Sequence, residues 1–599
     1  MAGGKGAVAE RPPARRASTP PRKPRRSLSR LFWLQLLFCA IALALCGRLA
    51  YLQVWMAPEL SAKARAQRTK RVDLAALRRE ITDRNGSELA VSVEAWSVYA
   101  QPADLRGNPA DIARKLAPLL GSPPQKLARQ LGGKHWTWLA RKQDAQVANR
   151  VRALKIAGVG LIKETRRVYP KGPLAGTLLG FVGVDNQGLA GIEHDFDDAL
   201  RGPPRHLDIQ VDAMGREILR DFAQNPMTTV LADGARVILT IDEAIQHEAE
   251  KHLSAAIRDL GAKAGWVIVM EPDSGDVLAF ATMPSYDPNF PNRASGSVIT
   301  NVAISGVFEP GSTLKPFTVA AGLESGAVTP RSGFDCPPRI TIGNKTIGDH
   351  DPPPGVRHLK VPQILQVSSN VGTAQIGMRM PDRVQREFLL RFGFGRATGS
   401  GLGGESAGIL PRTPWRPINH ATISYGQGIS VTALQLATAN CIFANGGKRV
   451  RPRLIRRIVG PDGHVIQEFP IAPPEQVLSP RVVAQLIPML RSVTEQGGTG
   501  TAARIPGYHV AGKTGTAQKV RPDGRGYSSD VISSFVGFAP VVQPRIVVLA
   551  SLDSPTKAHY ASMTAAPLFR EVTASALRIL GVEPDPTAFN VPTVSHAAD

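Results

Sequence analysis

The chain has 599 residues, 43% of them apolar, with 49 prolines and 57 glycines. That is too much buryable surface for a disordered chain, and too long for one compact unit at roughly 100–200 residues per domain. Four cysteines, two of them (Cys39 and Cys46) inside one apolar run, exclude a disulfide-dense scaffold and a thiolate zinc site, while a formal net charge of +23 raises nucleic acid or an anionic surface as partners.

Where the charge sits narrows that choice. Residues 1–30 hold nine Lys and Arg against one acid, Glu10, among scattered prolines, and read as a disordered basic tail. An apolar run interrupted only by Gln35 follows from Leu31 to Gly47 and continues past Arg48 to Trp55. As a helix, 31–55 reaches about 37 Å, more than a ~30 Å hydrocarbon core. A single membrane-spanning helix is therefore expected, with the basic tail cytoplasmic and everything after about residue 56 outside. Ala42-Leu43-Ala44 imitates a signal-peptidase site, but the apolar stretch runs on beyond it. Leu45 is too bulky for a lipidation site at Cys46. Without the tail the remainder still carries +15, suited to anionic phospholipid or wall polymer, and no nucleic-acid module is visible.

Residues 56–228 mix short strand-like runs, such as Leu89–Tyr99, with Pro and Gly punctuation, and predict an α+β support domain. A second domain is expected over 229–582. It opens with a strand at Arg236–Ile241, a helix at Glu243–Leu260, and β runs at Trp266–Met270 and Val277–Ala281 joined by a Pro-Asp-Ser-Gly-Asp turn. Two more β runs, Ser534–Ala539 and Ile546–Ser551, precede a helix over Thr564–Leu580. The fold class is α+β, with a mainly antiparallel sheet flanked by helices. Residues 583–599 read as a C-terminal tail, and Cys336 and Cys441 as buried free thiols.

Three short patterns carry candidate chemistry. Ser312-Thr313-Leu314-Lys315 follows the Pro310-Gly311 break and precedes the apolar run Phe317–Leu323. A helix starting there sets Ser312 at its positive end and Lys315 one turn on, where a neutral amine takes the hydroxyl proton. Ser554-Pro555-Thr556-Lys557 matches the same pattern without an apolar helix behind it and reads as loop. Ser368-Ser369-Asn370 joins the helical segment Pro362–Val367 to another apolar run, a place for a helix cap or for a hydroxyl and an amide that relay a proton and hold a peptide bond. Val510–Gln518 is a small-residue strand that presents Lys513, Thr514 and Thr516, with Gly512 and Gly515 permitting close backbone approach. The literal phosphate-loop match over Gly507–Thr514 is contradicted by its strand-like interior and by the missing helix after Thr514.

Taken in order, S-x-x-K, S-x-N and K-T-G resemble the penicillin-recognising serine acyltransferases. Further segments are similar to the class B penicillin-binding proteins, and within them to the division-specific peptidoglycan D,D-transpeptidases. They include Arg78-Arg79-Glu80-Ile81-Thr82-Asp83-Arg84-Asn85-Gly86, Arg167-Val168-Tyr169-Pro170, Gly188–Glu193, Ser424-Tyr425-Gly426-Gln427-Gly428 and Gly537-Phe538-Ala539-Pro540. The resemblance implies Ser312 as nucleophile at D-Ala-D-Ala, Lys315 as its base, Ser368 as proton relay and Asn370 on the substrate amide. It implies Lys513, Thr514, Gly515 and Thr516 around the terminal carboxylate, and the N–H groups of Ser312 and Thr516 as oxyanion hole. No metal or cofactor is expected. Stem peptides, β-lactam antibiotics, a polytopic glycan polymerase and other division proteins are the implied partners, at a bacterial inner membrane with the catalytic domain periplasmic. Same-superfamily hydrolases and a non-catalytic β-lactam sensor are the rival readings. Three positions depart from the family pattern: Arg79 stands for a usual Gly, Thr177 for a His, and Ala561-Ser562 for Gly-Gly.

Overall fold

The computed structural model describes residues 28–74, 78–201, 205–210, 235–350, 352–521 and 523–588. Most of the expected basic tail therefore lies outside the described residues. The chain forms two compact units, one of 1–74 with 205–226 and the other of 75–204 with 227–599.

In the first unit, helix Leu28–Ala50 continues as a π-helical turn, Tyr51–Trp55. Residues Leu31–Trp55 are long and apolar enough to cross a membrane, and none of the most apolar window is buried. Arg48 lies over the Tyr51 ring at 5.3 Å. Helix Ala57–Arg68 follows, and strand Thr69–Leu74 pairs antiparallel with Arg205–Gln210.

The second unit contains two larger sheets. In the first, the central strand Glu88–Ala100 pairs antiparallel with Thr137–Gln143 and Val159–Val168. Its alternation directs Val98 and Ala100 into a core covered by helices Pro109–Leu120, Pro124–Leu131 and Ala145–Ala153. The first of these helices starts where Asn108 accepts a hydrogen bond from Ala110 N and stops at left-handed Gly121. Strand Glu80–Thr82 extends the sheet and runs parallel to Arg236–Leu239, which pairs in turn with Ile455–Val459. The expected 228/229 boundary lies outside the described residues, and strands from either side of it share this sheet. Short strands leave backbone groups unpaired, and pairing across the chain satisfies them.

The other sheet has the order Ala511–Val520, Tyr527–Ala539, Ile546–Asp553, Ala264–Met270, Val277–Met283, every pair antiparallel. Its inner strand Ala264–Met270 reads as an unbroken apolar run because both faces are covered. Helices Glu243–Leu260 and Ala565–Ile579 cover one face, and a larger core that includes helices Lys315–Glu324 and Ala433–Ala444 covers the other. Asp242 caps the first of these helices through Ala244 N and Ile245 N, and Gly261 ends it at φ 63°. All residues of Ala433–Ala444 are buried, its polar side chains included: Gln435 donates to Arg396 O and Ala407 O, and Thr438 and Asn440 donate to carbonyls one turn back. Cys336 and Cys441 are buried free thiols, as their isolation implied. The chain does not leave the body at Glu583: Asp585 N donates to Gly507 O, and Ala588 is buried.

Candidate active site

Pro310 and Gly311 break the chain direction, with Gly311 at φ 54°. The helix expected from Ser312 begins later. Residues Gly311–Leu314 form a 3₁₀ turn, and the α-helix runs Lys315–Glu324, with Pro316 in its first turn where no N–H is needed. This turn half-exposes Ser312 while Lys315 is fully buried. No described residue hydrogen-bonds Ser312 Oγ. Gly311 N donates to Gly426 O at 3.0 Å, and a Cβ at position 426 would lie 2.0 Å from Gly311 O, so the Ser424–Gly428 loop braces the turn at backbone range. Glu309 accepts from Gly428 N at 2.8 Å and from the Tyr527 hydroxyl at 3.0 Å, and burial pushes its carboxyl above the usual range.

Ser368 occupies the left-handed region at φ 58°, between helices Val361–Gln366 and Asn370–Met378. The two adjacent serines divide the work. Ser369 is the cap, accepting from Gly372 N and donating to Asp349 Oδ2 at 2.7 Å, while Ser368 turns its hydroxyl toward two lysines. Asp349 also accepts from Val371 N at 2.9 Å and pairs with Arg357 at 2.8 Å, a carboxylate held at a helix N-terminus. Asn370 Nδ2 donates to Gly348 O at 3.0 Å.

Strand Ala511–Val520 ends the sheet order, so its outer edge is unpaired by the other strands of its sheet. Alternation sets Lys513 on one face and Thr514 and Thr516 on the other. Lys513 Nζ nevertheless reaches Thr514 Oγ1 at 3.2 Å, and Thr499 joins Thr514 at 2.8 Å. Thr516 is exposed, and its Oγ1 accepts from Ala561 N at 3.0 Å. Of the two glycines, Gly515 makes the closest approach to the serine turn: a Cβ there would stand 2.7 Å from Thr313 Cγ2 and 3.1 Å from Pro310 O. Gly512 lies instead against the Phe535 ring and Val536 O. The strand continues through Lys513 and Thr514, so the phosphate-loop match is not a phosphate cradle.

The three patterns meet at one atom. Lys315 Nζ donates to Ser368 O at 2.5 Å and to Ser368 Oγ at 3.1 Å, and Lys513 Nζ donates to the same Oγ at 2.9 Å. Burial lowers Lys315 to about 7, with Asp349 acting weakly in the other direction. Burial and the neighbouring Lys315 drive Lys513 well below the usual lysine range. Two ammonium groups sharing one hydroxyl in a low-dielectric site repel, so the cleft keeps a neutral amine available near neutral pH. A hydroxyl beside such an amine and an open strand edge are the parts of a nucleophilic acyl-transfer site.

Sequence reasoning missed the groups that hold these parts. Nothing in Gly348-Asp349-His350 marks Asp349 as the orienting carboxylate. Glu309 adjoins the Pro-Gly break, and a carboxylate beside so apolar a stretch is the one available signal. Thr499 lies in the glycine-rich run Gly497-Gly498-Thr499-Gly500. The three departures are all built in: Arg79 donates to Ala199 O at 2.9 Å, Thr177 pairs with Thr282 at 2.5 Å, and Ala561 binds Thr516.

Residues 265–574 match the model of the penicillin-binding protein transpeptidase domain, and residues 73–229 that of the penicillin-binding protein dimerisation domain. The chain is 33% identical over 589 residues to the peptidoglycan D,D-transpeptidase FtsI of Escherichia coli K12, covering 95% of this chain and 96% of that one. It is 32% identical over 568 residues to the probable peptidoglycan D,D-transpeptidase PenA of Neisseria meningitidis, covering 94% and 95%. Among solved structures it resembles penicillin-binding protein 3 of Mycobacterium tuberculosis in complex with aztreonam, with a TM-score of 0.67, 28% identity and coverage of 87% and 100%.

Proposed function

We infer the function from family and geometry together: the chain belongs to the class B penicillin-binding proteins, and it acts as a serine-type peptidoglycan D,D-transpeptidase that serves septal wall synthesis. The observation that carries this reading is the Ser368 hydroxyl shared by two buried lysines beside the Ser312 turn.

In the first half-reaction Ser312 Oγ bonds to the penultimate D-Ala carbonyl carbon of a stem peptide, and its proton passes to the neutral Lys315 amine. The developing oxyanion is held by the N–H groups of Ser312 and Thr516, where one such donor is typically worth about 3 kcal/mol. The C–N bond then breaks, and the proton travels from Lys315 through Ser368 to the departing D-Ala amine. Asn370 holds the substrate amide, and the open edge of Ala511–Val520 suits an extended peptide. The terminal carboxylate sits with Thr514, Gly515, Thr516 and Lys513, and its charge raises the Lys513 affinity for a proton. In the second half-reaction the amine of a neighbouring stem peptide attacks the ester, loses a proton along the same relay and returns one to Ser312 Oγ. No metal or cofactor enters these steps.

β-Lactams mimic the dipeptide and acylate Ser312, a reading supported by the relative solved with aztreonam. Helix 31–55 anchors the protein once in the inner membrane, with the tail cytoplasmic and the catalytic part periplasmic. The domain bounds proposed are 56–228 for support and 229–582 for catalysis, with residues 583–588 packed back onto the catalytic part. A polytopic glycan polymerase and other division proteins are the partners proposed. The deciding assay supplies a stem-peptide donor and a D-amino-acid acceptor. Transfer to the acceptor is expected, and it should vanish in Ser312→Ala. Release to water alone would make the protein a carboxypeptidase, and no turnover at all a sensor. Protease access to the tail from inside the cell only is the check on topology.

A further inference from the structure

Outside the catalytic cleft, the sheet of Glu88–Ala100, Thr137–Gln143 and Val159–Val168 buries one face under helices and bears a layered aromatic stack on the other. Its base is Gly160. A Cβ there would lie 2.3 Å from the Tyr99 ring, so the absence of a side chain lets that ring rest on the strand. Trp136, in the loop before Thr137–Gln143, stacks on Tyr99 with centroids 5.7 Å apart and planes at 30°. Trp138 braces Trp136 edge-on at 4.6 Å, and the Arg141 guanidinium covers Trp138 at 4.5 Å. An indole in a surface loop ordinarily folds against the nearest apolar groove. Trp136 instead stays 44% exposed, propped by Tyr99 and Trp138.

The surroundings restrict what fits on it. Arg141 is paired with Glu164 at 2.8 Å and with Asp185 at 3.1 Å, and Lys142 Nζ binds Asn186. Exposed Lys134 and His135 share the Trp136 loop, so the rim is polar and rich in hydrogen-bond donors and suits a hydroxyl- and acetamido-bearing occupant. A stable protein interface needs on the order of 1,000 Å² with an apolar centre. A single propped indole in a polar rim offers much less. Pyranose rings match it: their C–H faces are apolar and weakly positive, complementary to the negative face of an aromatic ring, while their hydroxyls and acetamido groups point sideways to polar partners.

We propose that Trp136, supported by Tyr99, Gly160 and Trp138, is a stacking platform for the glycan strand of peptidoglycan, so that the support domain holds the polymer whose stem peptides are cross-linked. The choice of an amino-sugar polymer rests on the transpeptidase reading. The test uses the full chain in detergent and calorimetry with a peptide-free β-1,4-linked N-acetylglucosamine oligomer. Wild type and Ser312→Ala should bind it equally. Trp136→Ala should weaken binding roughly tenfold or more, and Trp136→Phe, which keeps a stacking face, should stay within about threefold of wild type. Equal binding by Trp136→Ala, or binding only of peptide-bearing fragments, overturns the proposal. If Trp136→Ala melts earlier, Trp136→Phe and Gly160→Val, which lifts Tyr99, decide the matter: unimpaired binding by Gly160→Val overturns it too. The transpeptidase reading is checked separately, by transfer from a stem-peptide donor to a D-amino-acid acceptor, and its failure leaves the glycan measurement interpretable.

Discussion

The molecule contains the pattern Ser-x-x-Lys twice, and the two copies differ in almost everything but spelling. Ser312 lies in a 3₁₀ turn with no described hydrogen-bond partner for its Oγ, and Lys315 starts a buried helix. Ser554 is buried, and its hydroxyl donates to Asp553 Oδ1 at 2.7 Å and approaches Asp530 at 3.2 Å, while Lys557 is exposed. A serine whose hydroxyl is held by carboxylates, with its lysine out in water, lacks the buried amine that serves Ser312. Reactivity here is a property of the environment: burial deprives Lys315 of hydration, and without hydration the ammonium loses its advantage over the neutral amine.

Four measurements break or sharpen that contrast. The largest effect belongs to the nucleophiles. Ser312→Ala should abolish labelling by fluorescent penicillin, a loss of roughly 10⁴-fold or more in acylation rate, whereas Ser554→Ala should label as wild type does. Equal loss in both variants would end the comparison. Next, Lys315→Ala should slow acylation by about 10²–10⁴-fold, with Lys557→Ala unchanged in the same stopped-flow assay. Third comes pH. Lys315 titrates at about 7 and acts as a base only when neutral, so acylation should rise as pH increases through that value. Below it the rate should drop roughly tenfold per pH unit. A flat profile across neutral pH would assign the base elsewhere. The smallest effect is steric. Gly515→Ala places a Cβ 2.7 Å from Thr313 Cγ2, and the shifted serine turn should cost about 1–3 kcal/mol, read as a lower melting temperature and slower acylation.

The elements legible in the sequence were those with strong local signals. Glu243–Leu260 has an Asp cap, an amphipathic repeat and a terminal glycine, and it forms between those residues. The two hairpins, 264–283 and 527–553, were announced by apolar runs around turn residues, although their strands extend beyond the runs. The shared first sheet was not legible, because Glu80–Thr82 and Arg236–Leu239 are too short to signal a pairing that spans more than 150 positions. Nor was the separation of Ser368 from Ser369, which depends on one positive φ and on Asp349 arriving from a distant loop.

The sequence alone determined the inventory: an apolar helix of spanning length, two regions of α+β texture, and three patterns of hydroxyl, amine and amide in a telling order. Each of these follows from local composition and spacing. Tertiary structure alone decided that Lys315 and Lys513, 198 positions apart, share the hydroxyl of Ser368, and that Lys315 rather than Lys557 is stripped of water. Proton affinity depends on the medium and charges around a group, and those are assembled only when distant segments pack.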